Sequence, residues 1–141
     1  MSFYQNNFED LLVEFKNHSV WITLNRAESS NAYSTGMVKS LVEVLKHADQ
    51  DTSVRAIVIT GAGKNFCAGG DIKAMKNKTG MFAGESNELR EAYQAGIQQI
   101  PQAFSNLKTP VVAMVNGAAV GAGCDLAAMC DLRVVSENSF F

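Results

Sequence analysis

Two segments of this chain run out of an apolar strand, through a turn of small residues, into the start of a helix. The first is Phe66-Cys67-Ala68-Gly69-Gly70-Asp71-Ile72-Lys73-Ala74-Met75; the second is Asn116-Gly117-Ala118-Ala119-Val120-Gly121-Ala122-Gly123-Cys124-Asp125-Leu126. Small residues let another group approach the main chain closely, and a helix start leaves its first N–H groups without partners inside the helix. Two such N–H groups converging on one oxygen would form an oxyanion hole. Glycine and alanine also suit close packing of a helix on a strand, so each turn taken singly is open to both uses.

The segments around these turns alternate between strand and helix patterns. Leu11 to Phe15 and Val20 to Leu24 read as short strands joined by a turn at Asn17-His18. After the polar loop Glu28-Ser29-Ser30-Asn31, the residues Met37, Val38, Leu41, Val42, Leu45 and Ala48 share one helical face, with Ser34 or Thr35 as the cap. Arg55 to Thr60, Val111 to Val115 and Leu132 to Val135 read as buried strands. Lys76 to Gly80 reads as a surface loop. A helix is expected from about Glu85, broken or ended near Pro101, with a short one over Ala103 to Leu107 and another through Met129. The whole is an α/β domain over residues 1–141 with mostly parallel pairing.

Composition narrows the function. A chain of 141 residues with 47% apolar and 18% charged residues can bury a core, and its net charge of −2 offers no basic surface for nucleic acid. The most apolar stretch is interrupted by Asn116 and several glycines, so no membrane span is expected. The N-terminal residues have neither a signal nor a transit pattern, and Cys67, Cys124 and Cys130 are an odd set in apolar surroundings without metal-ligand spacing. Reduced, buried thiols in a cytoplasmic protein are the expectation.

The better-known glycine-rich turns do not match. No segment has the P-loop pattern, and Gly61-Ala62-Gly63 and Gly121-Ala122-Gly123 are followed by Phe66 and Leu126 where a dinucleotide fingerprint needs its third glycine. Instead the first turn, the run Pro110-Val111-Val112-Ala113-Met114-Val115-Asn116-Gly117, and Gly121 through Leu126 to Cys130-Asp131 resemble the crotonase superfamily, the enoyl-CoA hydratase/isomerase family. Trp21-Ile22-Thr23-Leu24-Asn25-Arg26 with Asn31-Ala32, and Val54 to Gly61, resemble its earlier segments in the same order.

The resemblance implies a crotonase-like spiral of repeated β-β-α units, ending here before the C-terminal helices. It implies an enzyme that binds acyl-CoA thioesters and stabilises an enolate at the thioester carbonyl, with no cofactor because coenzyme A is part of the substrate. The implied oxyanion donors are the N–H groups of Ala68 and Ala122, beside Gly69, Gly70 and Gly121. Arg26 and Lys73 are implied CoA phosphate contacts, or else solvated charges. The Asp71-Ile72 backbone resembles the family's pantetheine and adenine contact, although Asp71 reads first as a helix N-cap. Asp125 stands where family hydratases carry their first catalytic glutamate, and family dienoyl-CoA isomerases resemble this chain in having aspartate there. It is read as a catalytic carboxylate or as a first-turn complement to the helix dipole, and Asp131 as structural. The hydratases' second carboxylate falls beyond Phe141. Hydration of a 2-enoyl-CoA is thus the first expectation and double-bond isomerisation the second. A non-catalytic half-domain that binds acyl-CoA or a partner is the reading if the natural chain stops at Phe141. A trimer or dimer of trimers is implied for a full-length member.

Overall fold

A computed structural model describes residues 2–141. Strands β1 (Leu11–Lys16), β2 (Ser19–Leu24), β3 (Ala56–Gly61), β4 (Val111–Val115) and β5 (Leu132–Val135) form one sheet in sequential order. β1 and β2 are antiparallel, and every later neighbour is parallel. The hairpin turns at Asn17 and His18, both in the left-handed region at φ 50° and 59°, the geometry whose twist matches paired strands. Parallel pairing requires crossovers, and these carry helices α1 (Thr35–Gln50), α2 (Ile72–Asn77), α3 (Ser86–Ala95), α4 (Gln99–Asn106) and α5 (Ala122–Met129).

Ser34 is the cap of α1: its hydroxyl accepts the Met37 N–H at 2.9 Å. The buried stripe of α1 is Met37, Val38, Leu41, Val44, Leu45 and Ala48, with Val42 only half-buried. It lies with Ile100 and Ala103 of α4 in one core with Val20, Ile22, Leu24, Ile57, Ile59, Val111, Ala113 and Val115 of the sheet. The expectation of three buried strands is corrected here. β3 and β4 bury alternate residues, and β5 is exposed along its whole length, with Leu132 at 64% and Val134 at 61%. The cause is position: β5 is the edge strand, and the register sets Leu132 beside Val112 and Val134 beside Met114, on the face away from the core.

Pro101 also acts differently from expectation. It is the third residue of α4, within the first turn, where a backbone N–H has no intrahelical acceptor and its loss costs little. The preceding helix ends at Ala95, before Gly96. The stretch expected to be loop at Lys76 to Gly80 begins as the last turn of α2, which closes on Lys78 in the left-handed region. Among the described residues no helix is long and apolar enough to cross a membrane.

Candidate functional site

The two small-residue turns lie against each other, backbone to backbone. Cys67 and Ala119 pair as a parallel bridge; the Cys67 N–H donates to the Ala118 carbonyl at 3.1 Å, and the Val120 N–H donates to the Cys67 carbonyl at 3.0 Å. This approach explains the residue types. A Cβ on Gly69 would stand 2.7 Å from the Ala122 nitrogen, and one on Gly123 would overlap the Cys67 carbonyl. Gly69 also has φ +76°, which side chains rarely adopt. Of the two uses open at each turn, close packing is thus directly visible in these glycines.

The backbone donors differ from expectation by two residues. The Ala68 N–H is engaged, donating to the Ser30 carbonyl at 3.0 Å. Among the described residues the N–H groups of Gly70, Ile72 and Ala122 donate to no acceptor. Ala122 opens α5 behind Gly121, whose φ of 55° and ψ of −127° make the sharp entry. Gly70 is held indirectly: the Tyr33 N–H donates to the Gly69 carbonyl at 2.8 Å, which fixes the peptide plane that carries the Gly70 N–H.

Beside the second turn lies a mostly apolar cleft of about 330 Å³, bounded by Tyr33, Ile97, Ile100, Ala122, Asp125 and Met129. Asp125 stands in the first turn of α5, exposed, with its carboxylate accepting no hydrogen bond among the described residues. It is the only acidic side chain lining that cleft among them. The cleft thus brings the free Ala122 N–H and an unengaged carboxylate together, with Gly70 on the adjoining turn.

The sequence model of the enoyl-CoA hydratase/isomerase family matches residues 14–141. The chain belongs to that family. Its curated relatives include the mitochondrial enoyl-CoA hydratase of Pongo abelii, 38% identical over 96% of this chain and 44% of the relative. The 2,3-dehydroadipyl-CoA hydratase of Escherichia coli (strain K12) is 38% identical over 94% of this chain and 48% of the relative. Among solved structures, an enoyl-CoA hydratase/isomerase from Xanthobacter autotrophicus Py2 superposes with a TM-score of 0.82 at 28% identity, over 96% of this chain and 49% of that one. An enoyl-CoA hydratase from Mycobacterium smegmatis does so with 0.78 at 40% identity, over 89% and 47%. The fold is that of the crotonase group, and the chain spans about half the length of the curated relatives it matches.

Within this family framework the polar residues divide into internal and outward-facing sets. Arg26, expected as a possible phosphate contact, is turned inward. Its Nη1 donates to the Ala32 carbonyl at 2.6 Å, its Nε lies 3.7 Å from Asp10, and its Nη2 lies 3.6 Å from Asp71. Only 18% of its side chain is exposed, so the guanidinium ties the end of β2 to the start of α2. Asp71 caps α2, accepting the Ala74 N–H at 3.0 Å. Lys73 and Ile72 point outward and are exposed. Asp131 is structural: its carboxylate accepts the Val111 N–H at 2.8 Å.

Two residues of the site region escaped sequence reasoning. Asn31, read as loop, is fully buried; its Oδ1 accepts the Arg26 N–H and its Nδ2 donates to the Ala62 and Asn65 carbonyls, each at 2.9 Å. Tyr33, directly after the Asn31-Ala32 signature, lines the cleft. The available signal was an asparagine and a large aromatic in a segment otherwise rich in exposed polar residues.

The thiols are shielded. Burial pushes Cys67 up to about 11 and Cys130 up to about 12. Raised values keep a thiol protonated below them, so at pH 8 Cys67 and Cys130 are held in the neutral, unreactive form. Iodoacetamide at pH 8 is expected to label half-buried Cys124 first, with Cys67 and Cys130 protected until the protein unfolds; peptide mass mapping over time reads the order. Labelling of Cys67 at the Cys124 rate would contradict that shielding.

Proposed function

We propose that the protein binds acyl-CoA thioesters and stabilises the enolate formed at the thioester carbonyl, with hydration of a 2-enoyl-CoA as its reaction. The observation that carries this reading is the pair of unengaged N–H groups, Gly70 and Ala122, on adjoining turns beside the Asp125 cleft. Gly70 takes the role expected for Ala68, because the Ala68 N–H already has the Ser30 carbonyl. When water adds at C3 of the enoyl group, the electron pair moves through C2 onto the thioester oxygen. Two aligned N–H donors stabilise that charge, each typically by about 2.7–4 kcal/mol in the transition state. The water loses a proton as it adds at C3 and C2 gains one, and Asp125 is the carboxylate at the cleft that takes up the first and supplies the second. No further cofactor enters this chemistry. The exposed Lys73, with the backbone of Asp71 and Ile72, is the proposed contact for the CoA portion.

Double-bond isomerisation is the second reading, supported by Asp125, an aspartate at the cleft where dienoyl-CoA isomerases of the family also carry aspartate. A single carboxylate can take a proton from one carbon of the acyl chain and return it to another. Incubation with crotonyl-CoA and with a 3-enoyl-CoA, followed by chromatographic separation of thioesters, distinguishes these. The expected product from crotonyl-CoA is 3-hydroxybutyryl-CoA. Shifted double bonds without hydroxyacyl product favour the isomerase, and binding without turnover favours the acyl-CoA-binding reading. Absence of thioester binding by calorimetry would sink all three.

A further inference from the structure

Besides the backbone pairing between them, the two turns that supply the free N–H groups are both bonded by one further residue, Tyr33. Its backbone reaches the first turn: the Tyr33 N–H donates to the Gly69 carbonyl at 2.8 Å. That carbonyl belongs to the same peptide unit as the Gly70 N–H. In a planar trans peptide the C=O and N–H point in opposite directions, so anchoring one aims the other. Its side chain reaches the second turn: the phenol donates to the Ala122 carbonyl at 3.4 Å. The ring is 2% exposed, lines the cleft beside Asp125, and sits against the Cys67 thiol.

We propose that Tyr33 is a positioning residue that aims the Gly70 N–H through its backbone bond to the first turn and sets the separation of that donor from the Ala122 N–H through the contact of its phenol with the second turn. The inference rests on the thioester-oxyanion reading given above and adds to it the residue that aligns the hole. The phenol is suited to the role because it stays a neutral donor: burial, followed by the neighbouring Cys67 and Asp125, raises its ionisation well above the usual tyrosine range. The bond to Ala122 is long, so it adds little to fold stability.

Tyr33→Phe removes the phenol oxygen and keeps the ring, the packing and the backbone bond to Gly69. Three readouts on the purified protein test the proposal: thermal melting by circular dichroism, steady-state hydration of crotonyl-CoA, and the carbonyl stretch of a bound acyl-CoA by isotope-edited infrared difference spectroscopy. The variant is expected to melt within a few degrees of the parent. Turnover should fall by about tenfold with KM within twofold, because a loosened donor pair weakens the transition state more than the ground state. The downshift of the thioester carbonyl frequency seen on binding to the parent protein should be smaller in the variant. An unchanged downshift with unchanged kcat overturns the role of Tyr33 while leaving the oxyanion reading intact. No downshift in the parent protein overturns that reading itself, and with it this inference.

Discussion

Replacing Gly69 by alanine is expected to destabilise the protein by about 3 kcal/mol and to lower turnover of a 2-enoyl-CoA by at least about 100-fold. Two costs combine at this position. The backbone has φ +76°, where an alanine is strained, and the new Cβ would stand 2.7 Å from the Ala122 nitrogen and 2.8 Å from the Val120 carbonyl. Neither neighbour is a flexible side chain, so relief requires the two turns to separate. Separation moves the Ala122 N–H away from the Gly70 N–H, which is why turnover should fall even in the fraction of the protein that stays folded. Gly80→Ala supplies the comparison: φ there is +58°, yet nothing lies within 4 Å of the added carbon. That variant should carry the backbone strain alone, about 1 kcal/mol, and keep its turnover. Urea midpoints and initial rates measure both effects. Gly69→Ala behaving like Gly80→Ala would show that the contact between the turns does not govern the site.

Asp125→Asn should reduce turnover by roughly 100- to 10,000-fold while binding of the acyl-CoA changes little. The carboxylate is exposed at the cleft, unengaged by hydrogen bonds among the described residues, and stands within one turn of the Ala122 N–H. The amide is close in shape but cannot take a proton at neutral pH. The fold should tolerate the change, since the side chain contributes only a dipole interaction at the start of α5, about 0.3–1 kcal/mol. Steady-state rates together with calorimetric binding separate the two roles weighed for this residue. Undiminished turnover would leave Asp125 as a helix-dipole residue only. Asp125→Glu should retain part of the activity, because it keeps the acid and changes its reach by one methylene.

Much of the fold could be read from local patterns. Ile57 and Ile59, the Ser34 cap, the Asn17-His18 turn and the heptad-like stripe of α1 each follow from periodicity or turn chemistry that acts within a few residues. The failures have long-range causes. Leu132 to Val135 is apolar enough to be central, but its place at the sheet edge is fixed by strand order, which local pattern does not encode. Arg26 resembles a free cation in sequence and becomes an internal clamp only because Asp10 and Asp71, 16 and 45 positions away, converge on it. Pro101 signals a helix boundary correctly, but whether it ends one helix or opens the next depends on where Gly96 allows the chain to turn.

By itself the sequence determined that two strand-to-helix turns of small residues would stand in one α/β domain, in the order of the enoyl-CoA hydratase/isomerase family, with Asp125 one turn beyond Ala122. The turns and the place of Asp125 follow from spacing along the chain, and the family order from resemblance. Only the tertiary structure decided which backbone donors remain available. The Ser30 carbonyl takes the Ala68 N–H and Tyr33 anchors Gly69, leaving Gly70 and Ala122 without acceptors among the described residues. The physical reason is that a backbone N–H is identical in every residue but proline. Its availability is set by which carbonyl the folded chain brings within 3 Å, and that carbonyl can come from tens of residues away.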